Sequence, residues 1–336
     1  MGTLTGIDFD LDGKQFGHLA IPHSSNTSAY GKIVVPVVYI RNGGGHRAFI
    51  SAGVHGDEFE GQVALRNLTL ELAPQDVRGS LIILPMANAP AACSATRVSP
   101  IDQLNLNRTF PGDPQGSPTS AIAYAIENQL LEGCDFAYDI HSGGSSLLYG
   151  AIGVTTKTGS SGDDGRRLDL LKSLGLDAGM LLPADGSMGF ETSTDGAMLR
   201  KGVIGVSAEF GGGGRILEGM LQKCEESIRG FLAHTGIAPR DPVVPGENPF
   251  EIYDIGNPAS LVFSDRAGIF KADVALRAST QPDEPLGRIY DLHDLQAPPK
   301  VVRSAMAGTV LALRALPRTG VGDCLVQIGT PSGKDR

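Results

Sequence analysis

From residue 47 to residue 234 the chain alternates short apolar runs rich in β-branched residues with longer runs of mixed polarity, and that alternation excludes most folds. Strands are expected at 47–52, 80–87, 135–141 and 203–210, and helices at 58–72, 120–131, 165–174 and 215–234. Strands separated by helices pair most readily in parallel, with the helices covering the sheet. The expected fold class is therefore α/β, a mostly parallel mixed sheet flanked by helices. Ahead of it, residues 31–41 (GKIVVPVVYIR) read as a further strand closing in the turn Asn42-Gly43-Gly44-Gly45. The pattern breaks after His234. Pro239, Pro242, Pro245, Pro249 and Pro258 crowd a stretch that cannot continue a helix, and β-like runs follow at 268–278 and 306–313. Two domains are expected: residues 1–240, α/β with a β-rich entry, and residues 241–336, small and all β. No period of about 20 to 50 residues repeats, so a solenoid is not indicated.

Composition narrows the function. A formal net charge of -9, with no Lys/Arg cluster longer than a pair, argues against nucleic acid as a partner, because phosphate contacts need a concentrated basic face. The first ten residues carry no basic-then-apolar leader, and no run of about 18 apolar residues occurs, so a soluble cytoplasmic protein without a membrane partner is expected. Cys93, Cys134, Cys224 and Cys324 lie far apart, form no CxxC pair and read as buried thiols. A small-molecule enzyme is the default, and a homo-oligomer is compatible with all of this.

The chemistry concentrates at expected strand ends. In Ser51-Ala52-Gly53-Val54-His55-Gly56-Asp57-Glu58 an imidazole leaves a strand and a carboxylate enters a helix three residues later, a spacing that lets both reach one ion. A third ligand is offered by His141 in Asp139-Ile140-His141-Ser142-Gly143-Gly144, again where an apolar strand meets glycine. Because side chains alternate along a strand, Asp139 shares a face with His141 and is placed to orient the site. Three protein ligands leave zinc a position for water, which the ion acidifies. Glu209 closes the apolar run Val203-Ile204-Gly205-Val206-Ser207-Ala208 at the same sheet edge. It is the candidate general base, and its apolar setting should raise its pKa. His18, His23, His46, His234 and His293 read as structural or solvent-facing. The Gly211–Gly214 run lacks phosphate-loop spacing and reads as backbone room beside Glu209.

Residues 97–112 are polar and rich in Asn and Arg. An arginine fork beside an asparagine amide suits a carboxylate, which makes Asn107 and Arg108 the substrate clamp, while Arg97 is placed to face the scissile carbonyl and stabilise an oxyanion.

GVHGDEFEG, NLNRTFPG, DIHSGG and AEFGGGG, in that order, resemble the motifs of the succinylglutamate desuccinylase and aspartoacylase family, relatives of the zinc carboxypeptidases. The resemblance covers most of the chain. It implies a zinc carboxypeptidase-like fold with a barrel-like C-terminal β domain, and one zinc ion per chain held at His55, Glu58 and His141. It also implies that Glu209 is the catalytic carboxylate, that Asn107 and Arg108 bind the substrate carboxylate, and that Arg97 polarises the carbonyl. IDFDLDGKQFG and SAYGKIVVPV look most like the N-α-acetyl-L-2,4-diaminobutyrate deacetylase branch. For such a substrate, Asp185, Glu191 or Asp195 is the candidate to meet a second ammonium, by charge and neighbourhood. Residues 304–311 also resemble biotinyl and lipoyl carrier domains, but no lysine sits at the modified hairpin position, so the β domain is expected to rim the active site or support assembly.

The expected activity is zinc-dependent hydrolysis of an N-acyl amino acid. Two rivals stand beside it: a zinc carboxypeptidase acting on peptides, which would use the same clamp and metal, and a binding protein of the same fold without catalysis.

Overall fold

A computed structural model describes residues 2–184, 189–238 and 250–333. In chain order the first part contains strands β1 (Thr3–Thr5), β2 (Gly13–Pro22), β3 (Lys32–Asn42), β4 (Arg47–Ala52), β5 (Gly79–Leu84), β6 (Phe136–His141), β7 (Leu147–Tyr149), β8 (Ile152–Lys157), β9 (Ala178–Pro183) and β10 (Ile204–Glu209). Its helices are α1 (Phe59–Glu71), α2 (Ala89–Ser94), α3 (Pro118–Ala125), α4 (Ser161–Ser173), α5 (Thr194–Arg200) and α6 (Glu218–His234). The later part adds β11 (Glu251–Asp254), β12 (Leu261–Phe263), β13 (Gly268–Ala272), β14 (Ser279–Thr280), β15 (Pro285–Tyr290), β16 (Lys300–Arg303), β17 (Gly308–Arg314), β18 (Arg318–Thr319) and β19 (Cys324–Pro331).

The α/β class stands: a large mixed sheet is flanked by helices, and a separate antiparallel sheet, β16-β15-β13-β18, lies in the C-terminal part. At the centre β5, β4, β6 and β10 run parallel, so the ends of β4, β6 and β10 meet at one carboxyl edge. The sequence pattern did not anticipate β8 and β9. They pair parallel with each other, but β8 lies antiparallel to β10 and so turns the sheet's direction beside the predicted site. The expected helix 120–131 is α3 followed by a π-helical turn, Ile126–Leu130.

Alternation explains where the core stops and the polar site begins. Ile50, Ala52, Tyr138, Ile140, Val206 and Ala208 face one side and pack on Leu65, Leu68, Ile228 and Phe231 of α1 and α6. Each fully buried Leu, Ile or Phe contributes roughly 1.5–3 kcal/mol. Phe49 and Ala137 face the other side, against Ile122, Ile126 and Met198. Continuing along that second face toward the carboxyl edge, the period of two places Ser51, Asp139, His141, Ser207 and Glu209 in turn.

The large sheet continues into the C-terminal part through β9, β11, β19 and β17. β7, from the first part, pairs with β17. Phe270, Leu286, Ile289, Val310, Leu325 and Ile328 form the core between the two sheets there. The boundary drawn near residue 240, with Pro239, Pro242, Pro245 and Pro249, lies outside the described residues. No helix among the described residues is long and apolar enough to cross a membrane.

Candidate active site

The turn after β4 is built for close approach. A Cβ on Gly56 would lie 2.0 Å from the Ala91 carbonyl carbon, and the Gly56 N–H donates to Thr96 O at 2.9 Å, so only glycine lets this turn lie against α2. Two residues later Glu58 occupies the N-cap position of α1. The Asp57 carboxylate accepts from Ser145 N at 2.7 Å and ties the same turn to the loop after β6.

His55, Glu58 and His141 converge. Their ligand atoms lie within 4.8 Å of one another, and all three residues are buried. His55 Nδ1 is 2.7 Å from Glu58 Oε1, and His141 Nδ1 is 2.9 Å from Glu58 Oε2. Both imidazoles use the opposite nitrogen outward: His55 Nε2 meets Asn105 Oδ1 at 3.1 Å, and His141 Nε2 meets Asp139 Oδ2 at 2.8 Å. Asn105 Oδ1 also accepts from Asn107 N, which fixes it as an acceptor, so each Nε2 carries the proton. The two Nδ1 lone pairs are thereby turned toward a carboxylate, an arrangement that needs a positive charge between them. A divalent ion fits that donor set.

The charge balance shows the same demand for positive charge beside Glu58. Burial alone would raise the Glu58 carboxyl, but His55 and His141 outweigh it and hold it well below the usual carboxylate range. Burial, the largest influence, lowers His55 against the opposing pull of Glu58. Burial also opposes charge on His141, but Asp139 and Glu58 reverse this and raise it. Asp139 is itself held by Ser51 Oγ at 2.7 Å and Thr194 Oγ1 at 2.5 Å, so its orientation is fixed from three directions.

Glu209 stands opposite His141 in the β10–β6 register. Its Oε2 is buried without a hydrogen-bond partner among the described residues. Burial first, and repulsion from Glu58 second, push its carboxyl well above the ordinary range, as its apolar strand predicts.

The clamp lies on the 3-10 turn Leu106–Arg108. Asn107 Oδ1 accepts from Thr194 N at 2.9 Å and contacts Thr194 Oγ1 at 2.8 Å, which leaves the amide nitrogen as its donor. Arg108 donates to Asn107 O at 2.6 Å and lies against Gly189, where a Cβ would come within 2.7 Å of Arg108 Nε. Arg97 reaches Glu58 Oε1 at 3.4 Å and is half exposed.

Arg97, Asn107, Arg108, His55, Glu58, His141 and Glu209 all line one solvent-open cavity of about 190 Å³. The structure thus brings every predicted site residue together. Of the three ammonium candidates, Asp195 lines this cavity and Glu191 is exposed outside it, while Asp185 lies outside the described residues. Sequence reasoning gave no role to Asn105, Thr194, Tyr149 or Gln327. Asn105 belongs to the NLNRTFPG segment and its position was a signal. Thr194 and Gln327 act on partners 87 and 178 residues away, which no local pattern reveals. Tyr149 OH donates to Gln327 Oε1 at 3.1 Å, so the C-terminal part does rim the cavity.

Residues 44–235 match the succinylglutamate desuccinylase/aspartoacylase catalytic domain. The chain is 34% identical over 323 residues to an N-alpha-acetyl-L-2,4-diaminobutyric acid deacetylase of Halomonas elongata, covering 96% of this chain and 93% of that protein. Among solved structures, the product-bound ectoine utilization protein EutE (DoeB) from Ruegeria pomeroyi superposes with a TM-score of 0.92 at 32% identity, over 98% of each chain. A succinylglutamate desuccinylase/aspartoacylase from Rhodobacter sphaeroides gives a TM-score of 0.90 at 27% identity, over 97% of this chain and 98% of that one.

Proposed function

The chain belongs to the succinylglutamate desuccinylase/aspartoacylase family, and from that premise we propose that it is a zinc-dependent deacylase hydrolysing the amide of an N-acyl amino acid, with N-α-acetyl-L-2,4-diaminobutyrate as substrate. One observation carries the reading: a buried, unpartnered Glu209 carboxylate oxygen faces the His55-Glu58-His141 cluster in a cavity that also holds the Asn107-Arg108 clamp.

His55, Glu58 and His141 would hold the ion, which when bound would supply Lewis acidity to the amide carbonyl and to water. Asn107 and Arg108 grip the substrate carboxylate and so fix the amide relative to Glu209. Arg97, half exposed beside Glu58, presents its guanidinium to the carbonyl oxygen as negative charge develops there. Glu209 takes a proton from the attacking water and returns it to the amine nitrogen as the C–N bond breaks. Its raised pKa suits both directions of that transfer. An acid and a free amino acid leave.

The wall made by Tyr149 and Gln327 favours a short acyl group over the extended peptide a carboxypeptidase would take. The cytoplasmic location remains part of this reading; of the four thiols expected to be buried, Cys134 and Cys224 are, whereas Cys93 is exposed and Cys324 only partly buried. The test is Glu209→Gln: about one zinc per chain is retained, and kcat falls by roughly 10³-fold or more, the scale of general-base loss combined with lost water orientation. Near-normal turnover sinks the mechanism, and loss of zinc shows that Glu209 is a ligand instead.

A further inference from the structure

Three carboxylates line the cavity among the described residues: Glu58, Glu209 and Asp195. The first two have tasks in the proposed reaction; the third has none. Asp195 sits in the first turn of α5, which also supplies Thr194, and its Oδ1 accepts from Ser207 Oγ at 2.6 Å. Ser207 precedes Glu209 by two residues on β10, so both side chains project from the same face and Ser207 lies about 7 Å further from the sheet edge. Asp195 therefore marks a recess of the cavity, deeper than the catalytic carboxylate.

No ion pair reaches Asp195 among the described residues, although Arg108 is near enough to feel its charge. Desolvation, the largest influence, raises its carboxyl above the usual range, and Asp139 adds to this, while Ser207 and His141 act against it. A half-buried carboxylate whose one side-chain partner is the Ser207 hydroxyl, lining a cavity open to solvent, is a receptor for a small cation with hydrogen-bond donors.

We propose that Asp195, oriented by Ser207, binds a terminal ammonium on the side chain of the substrate amino acid and selects for that cation. This rests on the deacylase reading and adds a residue that sets specificity. The substrate spans the cavity with its α-carboxylate on Asn107 and Arg108, its amide between Glu209 and the metal-ligand cluster, and its side chain directed inward to Asp195.

The test compares N-α-acetyl-L-2,4-diaminobutyrate with N-acetyl-L-2-aminobutyrate, which lacks only the terminal amine, in the zinc-loaded enzyme and in Asp195→Asn. The wild type is expected to prefer the cationic substrate by roughly 10²-fold in kcat/KM, the scale of losing one partner of a desolvated charge pair. In Asp195→Asn that preference collapses while turnover of the neutral substrate stays within about threefold, because Asn107, Arg108 and Glu209 are untouched. Ser207→Ala lowers the preference part way and serves if the Asn variant misfolds. A parallel fall on both substrates would show that Asp195 merely steadies Arg108, and an unchanged preference would remove it from recognition; either overturns the proposal. Calorimetric binding of L-2,4-diaminobutyrate against L-2-aminobutyrate supplies an arm without catalysis. If the wild type cleaves neither acetyl compound, the deacylase reading fails, and the binding arm still decides Asp195: selective binding lost in Asp195→Asn supports the inference, and equal binding of both amino acids refutes it.

Discussion

His55, Glu58, His141 and Glu209 stand on or just beyond the ends of parallel strands, whereas Asn107 and Arg108 stand on a 3-10 turn. The first group is placed by sheet register and fixed by buried partners, with the Asp139 carboxylate alone taking three hydrogen bonds. The second group is placed by contacts across the chain, Asn107 to Thr194 and Arg108 to the backbone at Gly189. Under the proposed mechanism, chemistry that tolerates little displacement would be built on the rigid element, and the groups proposed to hold the substrate on segments that can change without disturbing the sheet.

The sharpest way to break this contrast is to remove a ligand from the rigid half. His141→Ala is expected to reduce zinc from about one per chain to almost none and turnover to background, since a three-ligand site does not survive the loss of a buried imidazole. The clamp, built elsewhere, should still bind the amino acid product's carboxylate weakly in calorimetry. Zinc retained at full stoichiometry with measurable turnover would show that His141 is not a ligand.

Asp139→Asn acts one step further out. Asparagine keeps the shape but replaces the charged acceptor that holds the His141 Nε2 proton. Zinc affinity is expected to weaken by about 10–100-fold, read by competition with a chelator, and KM measured at saturating zinc to change little. An equal rise in KM would mean that the two halves share Asp139 through Thr194, which contacts both Asp139 and Asn107. Since a hydroxyl has one proton, Thr194 gives it to the charged Asp139, and Asn107 relies on the Thr194 backbone N–H.

The same contrast separates what could be read in the sequence from what could not. The rigid half was legible because each of its residues closes an apolar run at a glycine, and strand periodicity puts Asp139 with His141 and Ser207 with Glu209 on one face without any knowledge of the fold. Asn107 and Arg108 were legible as a polar pair, but the groups that orient them were not: Thr194 lies 87 residues on, and Gly189 gives no local sign that Arg108 packs against it. β8 and β9 were missed for a related reason. IGVTTK and AGMLLP are short, and nothing in either sequence shows that β8 will lie antiparallel to β10.

On the recognition half, Gly189→Ala is the direct probe. The residue has φ +73°, and a Cβ there would press within 2.7 Å of Arg108 Nε, so the guanidinium must shift. KM is expected to rise roughly tenfold, with kcat and zinc content changing less, because a displaced clamp weakens ground-state binding before it touches the chemistry. A loss confined to kcat would place Arg108 at the reacting atoms instead of at the carboxylate.

The smallest effect is expected where the C-terminal part meets the cavity. Gln327 is buried and accepts the Tyr149 hydroxyl proton, and burial raises the phenol well above its ordinary pKa, so Tyr149 remains a neutral donor in need of that acceptor. Gln327→Leu keeps the bulk and removes the acceptor, at a cost of about 1–3 kcal/mol for the stranded hydroxyl unless Tyr149 turns away. If it turns, the wall it forms opens, and the ratio of kcat/KM for N-butanoyl over N-acetyl substrates should rise by about threefold to fivefold, a change worth under 1 kcal/mol. Zinc content and the preference for a cationic side chain should both hold, because neither Asp139 nor Asp195 touches this wall. An unchanged acyl ratio would mean that the acyl group lies elsewhere in the cavity and that the C-terminal strands contribute support without setting its length.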